Sequence, residues 1–347
     1  MDAPHWIDVH HHAITPAIGS LLTEIGAPNP FQWSLGDASR VMAVNAIEFA
    51  VLSNAIPYDL FEQPTTAARF VRGANESVAE LARAQPGRFG QFPALPLPWI
   101  DLALTELDYV FDDLGADGVT LLPHVGDHYL GDPVFDPLLA ELDRRAAVVF
   151  VHPTHLAGQR SSTVPAVLAD YLLDTTRAAV GIMRALVPDR FPRISFVLAH
   201  AGGFLPYAAT RIEVLSHAFH GVDPLTTENY LRRFYYDLAL AVPSALPSLL
   251  SVAAADRILY GTDWCAVPSS AVSTMTRALR GSAMIPADLR VAIGRNNALR
   301  LLPRLCARLA GTSGGLPPEA LRTDGQADDG QQDRHTGADE EAGRVER

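Results

Sequence analysis

The chain has 347 residues, 48% of them hydrophobic, so it carries enough apolar material for one large globular domain or two ordinary ones. A formal net charge of -12 counts against a nucleic-acid partner, whose phosphates demand clustered cations, and two cysteines, Cys265 and Cys306, exclude a disulfide framework or a thiolate zinc cluster. All 27 basic residues are arginine, and without lysine the chain has no Schiff-base amine, no P-loop lysine and no carboxylated lysine to bridge two metals.

The N-terminus shows no basic segment followed by an apolar one and a cleavage site, and no apolar run reaches the roughly 18 residues of a membrane helix. A cytoplasmic protein without a membrane partner is expected. The first run, WIDVHHH from Trp6, is built from strand formers. Because side chains at i and i+2 share a strand face, His10 and His12 are predicted to point one way and His11 the other. Seven further runs follow: AIEFAVLS from Ala46, FGQFPAL from Phe89, DGVTLL from Asp117, AVVFVHP from Ala147, ISFVLAH from Ile194, FYYDLAL from Phe234 and RILYGTD from Arg257. Helical periodicity separates them, as over Thr65–Ala84, Ile100–Leu114, Phe135–Arg145, Ser244–Ala254 and Ala287–Leu302.

Eight strands alternating with helices over some 300 residues predict an α/β fold, a (β/α)8 TIM barrel, for which about 250 residues is typical. The alternative, an open doubly wound sheet, lacks a glycine-rich dinucleotide turn after the first strand. From Gly311 the composition turns to Gly, Asp, Glu, Gln, Arg and Thr, which cannot bury enough surface to offset its ordering entropy. The expected organisation is one barrel domain over 1–310 and an acidic, disordered tail over 311–347.

In a barrel, a polar residue ending a strand faces the active-site mouth. Four runs end so: His10 and His12 on the first, His152 in FVHP, His200 in LAHAGG and Asp263 in YGTD. A lone histidine there is more often a satisfied core residue; the repetition points to a shared metal site. His10, His12, His152 and Asp263 supply three nitrogens and one oxygen and leave a position for water or substrate. That donor set suits one divalent cation, zinc first and manganese its competitor, with no organic cofactor. His200, beside Gly202 and Gly203, is then the spare imidazole for acid/base or water-orienting work. Asp237, ending the seventh run, could orient a ligand histidine or be a buried aspartate bonded to backbone. Arg177 could grip an acidic substrate or serve a surface ion pair. His155 and Trp264 could contact an aromatic substrate or merely line and pack. Cys265 is read as apolar filler.

IDVHHH, FVHP, LAHAGG and YGTDW, in this order, resemble the amidohydrolase superfamily, in the branch of aminocarboxymuconate-semialdehyde decarboxylase and related aromatic-acid decarboxylases. YLGDPVFDPLLAELDRR, DTTRAAV and HAGGFLPYAATRI are most similar to 6-methylsalicylate decarboxylase-like members. The resemblance covers Ile7 to Leu302. It implies a single metal on His10, His12, His152 and Asp263, His200 as the catalytic histidine, a small aromatic acid substrate and a homodimer. Non-oxidative decarboxylation of an ortho-hydroxy acid would use Asp263 as proton carrier, once substrate or bound water has given it a proton, with His200 assisting. The alternatives are a metal-dependent hydrolase of an ester, lactone or amide on the same fold, and a non-catalytic metal-binding scaffold.

Overall fold

The computed structural model describes residues 5–156 and 163–312. Eight parallel strands form the frame: β1 (Trp6–His12), β2 (Ile47–Ser53), β3 (Phe89–Phe92), β4 (Val119–Leu121), β5 (Val148–Val151), β6 (Ser195–Leu198), β7 (Tyr235–Asp237) and β8 (Ile258–Leu259). Each lies within one of the eight runs read from the sequence. Strands β1–β2–β3 pair as one arc and β4–β5–β6–β7–β8 as the other. The arcs meet at two parallel bridges, Ala94 with Thr120 and His11 with Trp264, the second extended by the Val9 amide on the Tyr260 carbonyl at 3.1 Å. The cylinder is closed, which leaves the frame no unpaired edge.

Strand alternation divides the apolar residues between two cores. Ile7, Val9, Phe49, Val51, Phe150 and Val197 fill the barrel, while Leu52, Val119, Leu121, Val151 and Leu198 face outward against the helices. The N-terminal end of the cylinder is floored by helices Asn297–Leu301 and Pro303–Thr312, whose Ala298, Leu301 and Leu305 join the interior cluster. Arg308 ties this floor to Asp117 and to the Phe89 carbonyl, at the starts of β4 and β3. The opposite end, where the strands finish in polar residues, is left for chemistry.

The helix predicted over Ala287–Leu302 is broken into Ala287–Val291, a π-turn at Ala292–Asn296 and Asn297–Leu301. The break lies where Gly294 meets the Trp6 ring; a Cβ on Gly294 would stand 2.4 Å from Trp6 Cε3. Helices Pro64–Ala84, Ile100–Asp112, Asp136–Arg144 and Leu246–Val252 fall close to their predicted spans. A hairpin of His124–Val125 with His128–Tyr129, after β4, has no counterpart in the sequence reading. The last helix ends at Thr312, just beyond the expected boundary, and residues 313–347 of the expected tail lie outside the described residues. Among the described residues no helix is long and apolar enough to cross a membrane.

Candidate functional site

The site begins with an irregularity in β1. Between Asp8 and His11 the strand spends three steps where β2 spends two, a bulge that breaks the alternation. Val9 packs inside the barrel, and the next residue, His10, also turns in, its ring 4.8 Å from Phe150. His12 follows on the same side, while His11 lies over Trp264 at 5.0 Å between ring centroids. Asp8 holds this geometry. Its buried carboxylate accepts from the His10 amide at 3.1 Å, the Thr262 amide at 3.0 Å, the Thr262 hydroxyl at 2.6 Å and His11 Nδ1 at 2.9 Å. Strand β1 is thereby locked to the turn that carries Asp263, whose backbone is left-handed at φ 62°.

Four imidazoles converge here, and each is tied at Nδ1: His10 to Asp237 Oδ2 at 3.0 Å, His12 to the Ser53 carbonyl at 3.0 Å, His152 to the Pro153 carbonyl at 2.9 Å and His200 to the Ala239 carbonyl at 3.1 Å. A carbonyl only accepts, so Nδ1 carries the proton in His12, His152 and His200, and Nε2 is left with a lone pair. One donor atom from each of His10, His12, His152 and Asp263 lies within 4.8 Å of the others. Asp263 Oδ1 is 3.1 Å from His10 Nε2 and 3.0 Å from His12 Nε2. Nε2 of His10, although that close, is out of line for a hydrogen bond, and Nε2 of buried His152 has no partner. Lone pairs and a carboxylate oxygen crowded together out of water repel unless a positive charge lies among them. The set fits a divalent cation on chemical grounds: three imidazole nitrogens and one carboxylate, each imidazole oriented from behind.

The titration of the bare cluster points the same way. Burial alone would lower His10, but Asp237 and Asp263 outweigh it and push the imidazole up to about 10. Asp263 is held well below the carboxylate range because His10, His12 and His200 overcome the effect of burial. Burial, and then the charge of His12 and His10, drives His152 well below its ordinary value. His200 is lowered by burial, with Asp263 pulling against it. A proton held at His10 is the bare protein's way of supplying the charge that a cation would bring.

Asp237 supports two imidazoles. Its Oδ2 faces His10, while Oδ1 accepts the His200 amide at 3.2 Å and the Ala239 amide at 2.9 Å. The grouping of His10, His200 and Asp237 is therefore a hydrogen-bonded brace behind the cluster. Gly261 allows the brace to close, since a Cβ there would come 2.9 Å from His10 Cβ and 3.1 Å from Asp237 Cβ. His200 sits 5.0 Å from His10 and 6.1 Å from His152 between ring centroids, within the same chamber but outside the four-residue set. Gly202 and Gly203 approach protein atoms, the Tyr236 ring and the Leu172 carbonyl, where the sequence reading allowed for a ligand.

Three expected substrate contacts are placed differently. Trp264 is buried among Ala38, Val41 and Val272 behind His11, on the face of β1 opposite His10 and His12, so its ring packs and is not offered to a substrate. Arg177 is exposed on helix Ala166–Arg184 with its guanidinium 6.0 Å from the Tyr129 ring centroid, because the inward positions of that turn belong to Asp174, Thr175 and Ala178. His155 is half-open beside Asp59, with Nε2 3.4 Å from Oδ2, and has no contact with the cluster.

Sequence reasoning missed a second buried dyad. His124 Nδ1 lies 3.0 Å from Asp174 Oδ1, and that carboxylate also accepts the Tyr129 hydroxyl at 3.0 Å and, on Oδ2, the Thr154 amide at 3.1 Å. The available signal was a histidine two residues after the apolar run DGVTLL, the pattern that marked the other strand ends. A small cleft lined by Asn54, Ile56, Tyr58, Leu95, Leu121 and Leu122 among others opens nearby, with the Tyr58 ring 6.0 Å from that of His124. Pocket and cluster share a wall: the Leu121 carbonyl takes the His152 amide at 3.0 Å, and Asn54 follows Ser53, whose carbonyl orients His12.

Comparison with known proteins agrees with this architecture. The amidohydrolase family model matches residues 7–304. A 6-methylsalicylic acid decarboxylase from Penicillium expansum is 33% identical over 317 residues, covering 86% of this chain and 96% of that protein. A gamma-resorcylate decarboxylase from Rhizobium sp. is 29% identical over 76% of this chain and 85% of its own length. Among solved structures, an amidohydrolase II matches with a TM-score of 0.80 and 27% identity over 86% of this chain and 99% of its own.

Proposed function

The chain belongs to the amidohydrolase family and is a carboxy-lyase within it, and from that premise we propose that it removes CO2 non-oxidatively from a small aromatic acid with an ortho-hydroxyl group, of the 6-methylsalicylate or resorcylate kind. The observation that carries the reading is the convergence of His10, His12, His152 and Asp263 with every imidazole held from behind at Nδ1. Bound there, one divalent cation, zinc or else manganese, would supply the positive charge that orients the carboxylate and phenolic oxygens and steadies negative charge on the ring.

The remaining work falls to the chain. Asp263 is the proton carrier: it would receive the proton that the entering acid brings and deliver it to the carboxyl-bearing carbon as CO2 leaves. His200, neutral with its proton fixed on Nδ1, presents a lone pair at Nε2 and relays or steadies that proton. Ile56, Leu95 and Leu122, in the cleft next to the cluster, offer an apolar surface for the ring to lie against. The protein is read as a cytoplasmic homodimer, a reading supported by apolar Tyr207, Val214 and Phe219 left exposed on helix Leu205–His220.

The test is CO2 release from a panel of hydroxybenzoates by the metal-loaded protein, beside hydrolysis of a lactone and ester panel. Decarboxylation without hydrolysis is expected; hydrolysis without decarboxylation would replace this reading with that of a hydrolase. His10→Ala should lose bound metal and turnover together while the barrel stays folded.

A further inference from the structure

Beyond the cluster, one feature of the mouth is left without a task. His124 is fully buried, its Nδ1 is committed to Asp174, and its Nε2 has no hydrogen-bond partner among the described residues. A buried imidazole nitrogen left unpaired forfeits its solvation, a loss that a ligand's donor would repay. Asp174 is oversupplied for a packing role: its carboxylate gathers the Tyr129 hydroxyl and the Thr154 amide as well as His124. With the carboxylate accepting at Nδ1, the ring proton is fixed there and the lone pair is left at Nε2.

The location is equally specific. His124 lies three residues beyond the end of β4, next to β5, which carries His152. Tyr58, which lines the pocket, stands edge-on to the His124 ring at 6.0 Å. Asp174 also takes the amide of Thr154, two residues past His152, so the dyad stands beside the cluster. Ile56, Leu95, Leu97 and Leu122 make the neighbouring cleft largely apolar, so a lone-pair acceptor beside it is selective.

We propose that His124 is a substrate-binding residue: its Nε2 accepts a hydrogen bond from a ring hydroxyl of the aromatic acid, and Asp174 is the positioning residue that holds the accepting tautomer. The substrate class narrows to hydroxyaryl acids, because a methyl group in place of that hydroxyl would leave the nitrogen buried and unpaired. The inference rests on the proposed aromatic-acid function for the ligand's chemistry.

The test is a set of dissociation constants for the metal-loaded protein. Benzoates carrying hydroxyl or methyl at the same ring position are compared, position by position, in wild type, His124→Phe and Asp174→Asn. At one position wild type should prefer hydroxyl over methyl by roughly tenfold or more; His124→Phe should bring that ratio near one while the ratios elsewhere stay within about twofold. Asp174→Asn should lower the same ratio in part, and it carries the test if His124→Phe fails to fold. Ratios unchanged at every position, or equal weakening of all ligands, would overturn the assignment and leave His124 a packing residue. Binding is read without turnover, so a wild type that binds these acids with the predicted pattern but releases no CO2 overturns the decarboxylase reading and not this one.

Discussion

Asp237→Asn is the sharpest perturbation of the cluster, because it removes a charge without changing shape. The buried carboxylate receives three donors: His10 Nδ1 at 3.0 Å, the His200 amide at 3.2 Å and the Ala239 amide at 2.9 Å. In the variant, the amide oxygen can serve the two backbone donors, which turns the NH2 group toward His10 Nδ1. Two donors then face each other unless the imidazole moves its proton to Nε2, and a proton on Nε2 occupies the lone pair that would hold the cation. The loss is about one charge-assisted hydrogen bond, roughly 1.5–3 kcal/mol, or on the order of 10- to 100-fold in cation affinity. Competition against a chelator of known affinity measures it, with thermal melting of the metal-free variant as the check on folding. Cation affinity within threefold of wild type, in a variant that melts normally, would refute the claim that Asp237 sets the His10 tautomer.

Further outcomes follow from the same geometry. His10 sits near 10 in the bare protein against 6.5 for a free imidazole, so its contribution to stability is complete below about pH 6.5 and is lost as pH rises toward 10; melting temperature of the metal-free protein should fall across that window. At pH 7 the cation must displace that proton, so calorimetry in buffers of different ionisation enthalpy should register close to one proton released per ion bound. Gly261→Ala places a methyl group between His10 and Asp237 and should lower kcat/KM by about tenfold or more with a stability loss of about 1–3 kcal/mol, read from turnover and urea denaturation. Arg177→Ala should change KM by less than threefold, because the guanidinium is exposed and stands over the Tyr129 ring.

The frame was legible because each strand is a short apolar run and four end in a residue that dislikes burial, a contrast that local sequence records directly. The same rule found His10, His12, His152, His200 and Asp263, since strand ends in a closed barrel meet at one mouth. What stayed hidden depends on packing between distant segments. Whether Trp264 faces a ligand or the space behind β1 is decided by Ala38, Val41 and Val272, which local sequence does not place. Arg177 shares a helix turn with Asp174, and only the docking of that helix decides which of the two turns inward. The His124–Asp174 pair spans 50 positions and joins a hairpin to a helix, so neither residue announces the other. The π-turn has a similar origin, a helix yielding to the Trp6 ring nearly the whole chain away.

The floor formed by Ala298, Leu301 and Leu305 gives the two rims of the cylinder separate duties. Helix Pro303–Thr312 lies at the rim remote from the imidazoles, with the full height of the barrel between it and any arriving acid. Repacking the floor can therefore tune stability while the imidazoles at the far rim keep their geometry.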